Sequence, residues 1–462
     1  MENAARSIVR ELQEAGFEAC FAGGCVRDRL RGAPPKDYDI ATSARPDEIL
    51  KLYPRGDTVG AHFGVILVRR GGQHFEIATF REDGVYRDGR HPESVTFSTS
   101  EADAHRRDFT INGMFYDPVG ERLIDHVGGA TDLDAKLIRA IGDPLDRFEE
   151  DYLRLLRAVR FATLLDFTIE AATWSAIRAV ADRITHISPE RIREELDRIW
   201  LSPSRLLGFD LLVESGLMKA VLPEIIDLQG CEQPPQWHPE GDVFVHTRLM
   251  LSHLPAEASL PLVLSVLFHD IAKPATYSYD AAEDRIRFSG HDKLGAKMTG
   301  DILRRLRYSN AVIKATTEAV AHHMQFKDVR KMRTSTLKRF LARDNFDDEL
   351  ELHRVDCAGS NARFENYDFV QEKREEFRSV ETPLLPPRWI RGDDLIARGV
   401  AAGPAFGKIL TEAQDLQLEG TLSNREDALL WLDQRLAKEL GARSQESERS
   451  GDGRSGAKST GS

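Results

Sequence analysis

The chain has 462 residues, 41% hydrophobic and 30% charged, enough apolar material for two to four domains with buried cores. Lysine plus arginine number 63 against 75 acids, a net charge of −12. That excludes a uniformly basic coat for nucleic acid, and leaves room for a local basic patch and for carboxylates that hold metal. The four cysteines, Cys20, Cys25, Cys231 and Cys357, form no CxxC pair. Irregular spacing argues against a disulfide framework or zinc ribbon and suits a reducing, cytoplasmic setting. The sequence has no apolar run of about 18 residues, so no membrane-spanning helix is expected.

In chain order, residues 1–140 read as a mixed α/β head. Met1 to Gly16 is helical, with Ile8, Val9 and Leu12 as its apolar stripe. Glu18 to Ala22 reads as a strand. Gly23-Gly24 then turns into a short helix, and Asp37 to Ala41 reads as a second strand. Phe63 to Val68 and His74 to Phe80 alternate about Gly71-Gly72, a hairpin signal. Residues 141–228 read as a helical neck, with a continuous helix expected from Phe148 to Leu165. Residues 229–375 form a histidine-bearing helical block. Residues 376–440 form a small helical region. Residues 441–462, rich in Ser, Gly and charge, are expected to be a disordered tail.

Several clusters carry chemistry. Asp37-Tyr38-Asp39 puts two carboxylates on one face of a strand. Paired like charges are costly without a cation, and hard oxygen ligands favour Mg²⁺. Glu76 adds a third carboxylate if its strand lies alongside. Gly23-Gly24 allows close backbone approach to an anion, and Arg27 adds a charged fork. Arg106-Arg107-Asp108, followed by Asn112, suits a triphosphate or sugar contact. After Asp151, arginines 154, 157 and 160 sweep one side of a helix opposite Leu155, Ala158 and Val159. Each pattern alone also fits an ordinary turn, an exposed strand or a solvated face.

Together, GGCVRD, DYDIAT, RRDFTING and EEDYLRLLRAVRF, in this order across roughly residues 20–200, resemble class II tRNA nucleotidyltransferases and the related bacterial poly(A) polymerases. The resemblance implies an α+β nucleotidyltransferase head followed by helical neck, HD and C-terminal domains. It implies that Asp37 and Asp39, with Glu76, are catalytic and hold Mg²⁺ for transfer to an RNA 3′-hydroxyl. It implies that Gly24, Arg27 and Arg107 cradle the triphosphate of CTP or ATP, with Arg157 and Arg160 also binding nucleotide. Asp151 and Arg154 would read the base. Residues 80–95, FREDGVYRDGRHPESV, look like the loop segment associated with A addition, which disfavours a C-only enzyme. One departure is Gly113, where the family commonly has alanine, and looser packing is expected there.

Further on, His246, His269-Asp270 and Asp356 match the ligand set of the HD phosphohydrolase superfamily, with His291 and His323 as additional histidines. Mg²⁺ or a divalent transition metal is implied, with hydrolysis of phosphomonoesters or 2′,3′-cyclic phosphates at RNA ends. Residues 304–343 hold eleven basic residues and two acids, a local +9 that offers a phosphate-contacting surface. The leading expectation is CCA addition to tRNA. The alternatives are poly(A) synthesis or addition of A alone, an enzyme working mainly through its HD block, and an RNA-binding regulator with both sites idle.

Overall fold

In the computed structural model, the structure describes residues 1–58, 64–84, 95–379, 383–401 and 403–451. The chain divides into two compact units. The first comprises Met1–Ala321 with Ala358–Asn361, and the second His322–Cys357 with Ala362–Ser462. The division falls inside the block read from sequence as one domain of residues 229–375. Among the described residues no helix is long and apolar enough to cross a membrane.

The first unit is built on a six-stranded mixed sheet. Its strands are β1 (Ala19–Ala22), β2 (Asp39–Thr42), β3 (Val65–Arg70), β4 (Gln73–Thr79), β5 (Phe115–Asp117) and β6 (Arg122–Ile124). The spatial order is β3-β4-β2-β1-β5-β6, and β2–β4 is its one parallel pair. Gly71 and Gly72 both take positive φ, 59° and 76°, as a two-residue hairpin turn requires. Helix α1 (Glu2–Glu14) buries Ala5, Ile8, Val9 and Leu12, spaced three and four apart, and packs on β1. Phe80 and Phe115 meet edge to face at 5.6 Å in a core with Cys20, Ala22, Ala41 and Ala104.

β2 begins at Asp39, not at Asp37. The β1 ladder ends at Ala22 opposite Asp39, because Gly23 turns away into α2 (Gly24–Leu30) with φ 70°. Asp37 therefore stands on an extended lead-in without a strand partner. Tyr38 anchors that lead-in: its ring meets Phe21 at 5.0 Å and its hydroxyl donates to Glu2.

The neck departs from the expected continuous helix. Helix α3 (Pro144–Glu150) ends at Asp151, which is extended at φ −153°, and α4 (Leu153–Leu165) starts afresh. The cause is local: the Asp151 carboxylate accepts from the Leu153 amide, a side-chain bond that competes with helix continuation. Helix α5 (Pro189–Trp200) packs on α4. The histidine block of this unit follows, with α6 (Val243–His253), α7 (Leu260–Phe268) and α8 (His291–Arg305).

The second unit has two apolar cores. Phe326, Phe340, Phe346 and Val370 centre one, and Ile390, Leu395, Ile409 and Leu432 the other. Its last helix runs Arg425–Gly451, where a disordered tail was expected from residue 441. Apolar residues at 428, 429, 432 and 436 seat the start of that helix. The rest of the expected tail, 452–462, lies outside the described residues, as does most of the loop segment 80–95.

Gly113 is not loosely packed. Its φ of −87° suits any residue, so space alone demands glycine. A Cβ there would stand 2.7 Å from Val127 Cγ2 and 3.0 Å from Ile141 Cδ1. These side chains fill the place of the family's commoner alanine methyl. Gly113→Ala should cost about 1–3 kcal/mol by overpacking. Val127→Ala in the same chain should recover part of that loss in urea unfolding; additive losses in the double variant would disprove the contact.

Candidate active site

One cavity of about 510 Å³ in the first unit gathers most of the residues singled out in its sequence. Asp37, Asp39, Gly24, Arg27, Arg107, Asp151, Arg154, Arg157 and Arg160 all line it. The parallel register Ile40↔Ile77 sets Glu76 level with Asp39 on the neighbouring strand. Both side chains leave the sheet on its exposed face, while Ile40 and Ile77 enter the core.

The electrostatics show what this placement costs. Asp39 is reached by solvent at the cavity mouth yet is surrounded by protein on its other sides. Its carboxyl is pushed up to about 6, first by partial desolvation, then by the charges of Asp37 and Glu76. Charged carboxylates held this close call for a cation, and the all-oxygen donor set suits Mg²⁺. Asp37 and Asp39 fit such an ion, with Glu76 beside them.

Opposite stands a wall of arginines, each tied to an acid. Arg27 donates to Asp28 at 2.9 Å and to Asn112 Oδ1 at 2.8 Å. Arg106 and Arg107 both grip buried Asp103. Burial works to raise the Asp103 carboxyl, but the two guanidiniums outweigh it and hold it low. Arg157 donates to Asp108 through Nε at 2.8 Å and Nη2 at 2.5 Å. Asp108 is buried, which opposes its charge, yet Arg157 and Asn112 bring it down to about 2. Arg160 lies 3.1 Å from Glu195, and burial lowers it to about 10. Gly23 lets this wall close in, because a Cβ there would stand 3.1 Å from Arg107 Nη1.

Asp151 and Arg154 share the cavity, joined by a backbone bond from the Arg154 amide to the Asp151 carbonyl at 3.0 Å, while their side chains turn to other partners. Asp151 is clasped by Arg191 of α5, at 2.6 and 3.3 Å. Arg154 donates to Glu150, to the Arg147 carbonyl at 2.8 Å and to the Arg106 carbonyl at 3.2 Å. A carboxylate has about four acceptor sites and a guanidinium five donors, so each keeps capacity for a ligand.

The histidine block of the first unit forms a second cluster. His269 Nδ1 donates to the Val266 carbonyl at 2.9 Å, and His291 Nδ1 to the Phe288 carbonyl at 2.7 Å. Those bonds leave each Nε2 facing Asp270, at 3.0 and 3.5 Å. Imidazole nitrogens gathered at a buried carboxylate are a donor set that fits a divalent cation. Lys273, buried and 2.6 Å from Asp270, already supplies one positive charge there. His246 is fully buried nearby, its ring 5.4 Å from that of His269. Asp356 and His323 belong to the second unit, Asp356 on helix Phe346–Gly359 and His323 at the start of the 3₁₀ turns His323–Lys331.

Comparison with known proteins finds matches to three domain families. Residues 19–139 match the poly A polymerase head domain. Residues 166–228 match the "Probable RNA and SrmB- binding site of polymerase A", and residues 243–349 the HD domain. The CCA-adding enzyme of Lactobacillus johnsonii is 30% identical over 429 residues, 92% of this chain and 95% of that enzyme. The chain belongs to the CCA-adding enzyme family. The CCA-adding enzyme of Geobacillus thermodenitrificans is 45% identical over 214 residues, 46% of this chain and about half, 53%, of its own length. The crystal structure of the Bacillus stearothermophilus CCA-adding enzyme in complex with CTP has a TM-score of 0.72 at 26% identity, covering 95% of this chain and 98% of its own.

In this member of the CCA-adding enzyme family, sequence reasoning missed the groups that hold the others. Arg191 and Glu195 had no distinguishing local pattern, since each acts on a residue 40 or 35 positions away; Asp103 pairs with Arg106 and Arg107 three and four positions on, a local spacing that could have singled it out. It also overstated the basic stretch 304–343. That stretch is split between the units, and acids outside it meet many of its cations. Arg305 pairs with Glu224 and Arg304 with Asp301 in the first unit; Arg343 pairs with Glu349 in the second.

The raised Asp39 carboxyl has a stability sign. A carboxyl lifted from 3.8 to about 6 is costly while charged, so this group adds stability to the metal-free protein as pH falls through about 6. In EDTA near neutral pH, Asp39→Asn should melt no lower than the parent, and in Mg²⁺ it should fail to incorporate nucleotide. A lower melting point would mean that the Asp39 charge supports the fold.

Proposed function

We propose that this chain builds CCA on tRNA 3′ ends from CTP and ATP without a nucleic-acid template. One observation carries the reading: a single cavity joins the Asp37/Asp39 pair to Asp151 and Arg154. A reaction centre and a base reader that share a wall make the protein its own template. Asp37 and Asp39 would hold Mg²⁺, which would supply Lewis-acid activation of the 3′-hydroxyl and charge stabilisation at the phosphates. Glu76 adds negative charge beside the pair. Arg27, Arg107, Arg157 and Arg160 offer guanidinium donors to the triphosphate, and Gly24 lets its chain approach.

Selection follows from hydrogen-bond polarity. Cytosine and adenine each present an exocyclic amine beside a ring-nitrogen acceptor. Asp151 accepts from the amine, and Arg154 donates to the ring nitrogen. Uracil and guanine place a carbonyl where the amine belongs, setting acceptor against acceptor. Arg191 holds the Asp151 carboxylate in place. Asp151→Ala should reduce discrimination against UTP and GTP by about 10–100-fold. Primer extension on tRNA lacking CCA measures this, and an unchanged nucleotide preference counts against the reader.

The histidine block supports a second, separate activity. His246, His269 and Asp270, with His291 as a further histidine, would hold Mg²⁺ or a divalent transition metal and hydrolyse phosphomonoesters or 2′,3′-cyclic phosphates at RNA ends. The imidazole nitrogens gathered at Asp270 favour this over a merely structural block. Asp270→Ala should abolish hydrolysis of 2′,3′-cyclic AMP in metal-loaded protein and leave nucleotide incorporation intact. Loss of both activities together would argue against independent sites.

A further inference from the structure

Glu240 lies in the turn before α6 and has no role in the chemistry described so far. Its Oε1 stands 2.7 Å from Nδ1 of His246 and 2.9 Å from Nδ1 of His238. The Gly359 carbonyl lies 3.3 Å from the same His246 nitrogen. Both groups at that nitrogen are acceptors, so the proton resides on Nδ1 and the lone pair on Nε2. The rings of His238 and His246 are 4.8 Å apart, and His269 follows at 5.4 Å. Three imidazoles thus stand in file, and one carboxylate oxygen orients the first two. The lengths are those of hydrogen bonds. Ligands sharing one ion through bonds of about 2.1 Å stand roughly 3 Å or more apart. Glu240 therefore sits behind the rings.

We infer that Glu240 is the positioning carboxylate of the HD-block metal centre, fixing His246 as an Nε2 ligand and drawing His238 to the edge of that centre. The inference rests on the reading of this block as a metal site. A carboxylate behind a ligating imidazole locks its tautomer and raises its basicity, and losing such a partner typically costs about 10–100-fold in metal affinity. Leucine is the sharper substitution. Both imidazoles contact the same Oε1, so a glutamine oxygen in that place can still accept from both and removes only the charge. Leucine removes the acceptor and leaves His246 Nδ1 the longer contact with the Gly359 carbonyl, at 3.3 Å.

The full chain is titrated with Co²⁺ and followed by visible d–d absorption, which reports nitrogen ligation and is weak for an all-oxygen site. Parent, Asp270→Ala, Glu240→Leu and Glu240→Gln are compared. Metal-free, ¹⁵N-histidine-labelled parent and Glu240→Leu are also examined by NMR for the His246 tautomer. The expected result is about 10–100-fold weaker Co²⁺ binding in Glu240→Leu, partial rescue in Glu240→Gln, and a weakened Nδ1–H signature in Glu240→Leu. Nucleotide incorporation by the head should be unchanged, which also reports correct folding. If Glu240→Leu binds Co²⁺ like the parent while Asp270→Ala does not, Glu240 has no positioning role. If the parent itself matches Asp270→Ala, the metal centre falls and the inference falls with it. An undiminished Nδ1–H signature in Glu240→Leu overturns the mechanism even where folding is perturbed.

Discussion

A cavity that takes a polyanion must collect positive charge, and positive charges cannot be collected unless each is held. Arg27, Arg107, Arg154, Arg157, Arg160 and Arg191 converge on one space, and Asp28, Asp103, Glu150, Asp108, Glu195 and Asp151 hold them in turn. The acids lie behind or between the guanidiniums, so the arginines keep fixed directions without losing all their donors. This explains how a chain of net charge −12 can present a cationic wall. The acidity is partly the counterweight that allows the wall to exist.

The local parts of this arrangement were legible in the sequence, because their cause is local. The glycine turn, the paired aspartates and the arginine helix each follow from the spacing of neighbours along the chain. The distant partners were not legible. Asp108 meets Arg157 across 49 positions, and Asp151 meets Arg191 across 40. Periodicity cannot rank one acid above another at such separation. Gly113 shows the same limit from the packing side. An absent methyl reads as a gap until Val127 and Ile141 are seen to fill it.

The two metal-suited clusters solve charge in different ways. In the head, Asp39 opens on the cavity beside Asp37 and Glu76, and their mutual repulsion persists until a cation enters. In the histidine block, Asp270 is buried and already faces the Lys273 ammonium. Burial would raise its carboxyl, but His269 and Lys273 outweigh that and keep it charged. The head is thus poised to gain most from an ion. The histidine block tolerates an ion's absence, because its carboxylate is never left without a positive neighbour.

The break at Asp151 ties the neck to this logic. In a continuous helix, Asp151 and Arg154 would sit three positions apart on one face and satisfy each other. A pair closed on itself has little left for a base. The extended backbone at Asp151 separates them: Arg191 takes the carboxylate, and Glu150 takes the guanidinium. Each is held on one side and lines the cavity on another. Two residues that would neutralise one another in the simpler fold become two adjacent, oppositely polar edges. That is the pattern a base offering both a donor and an acceptor requires.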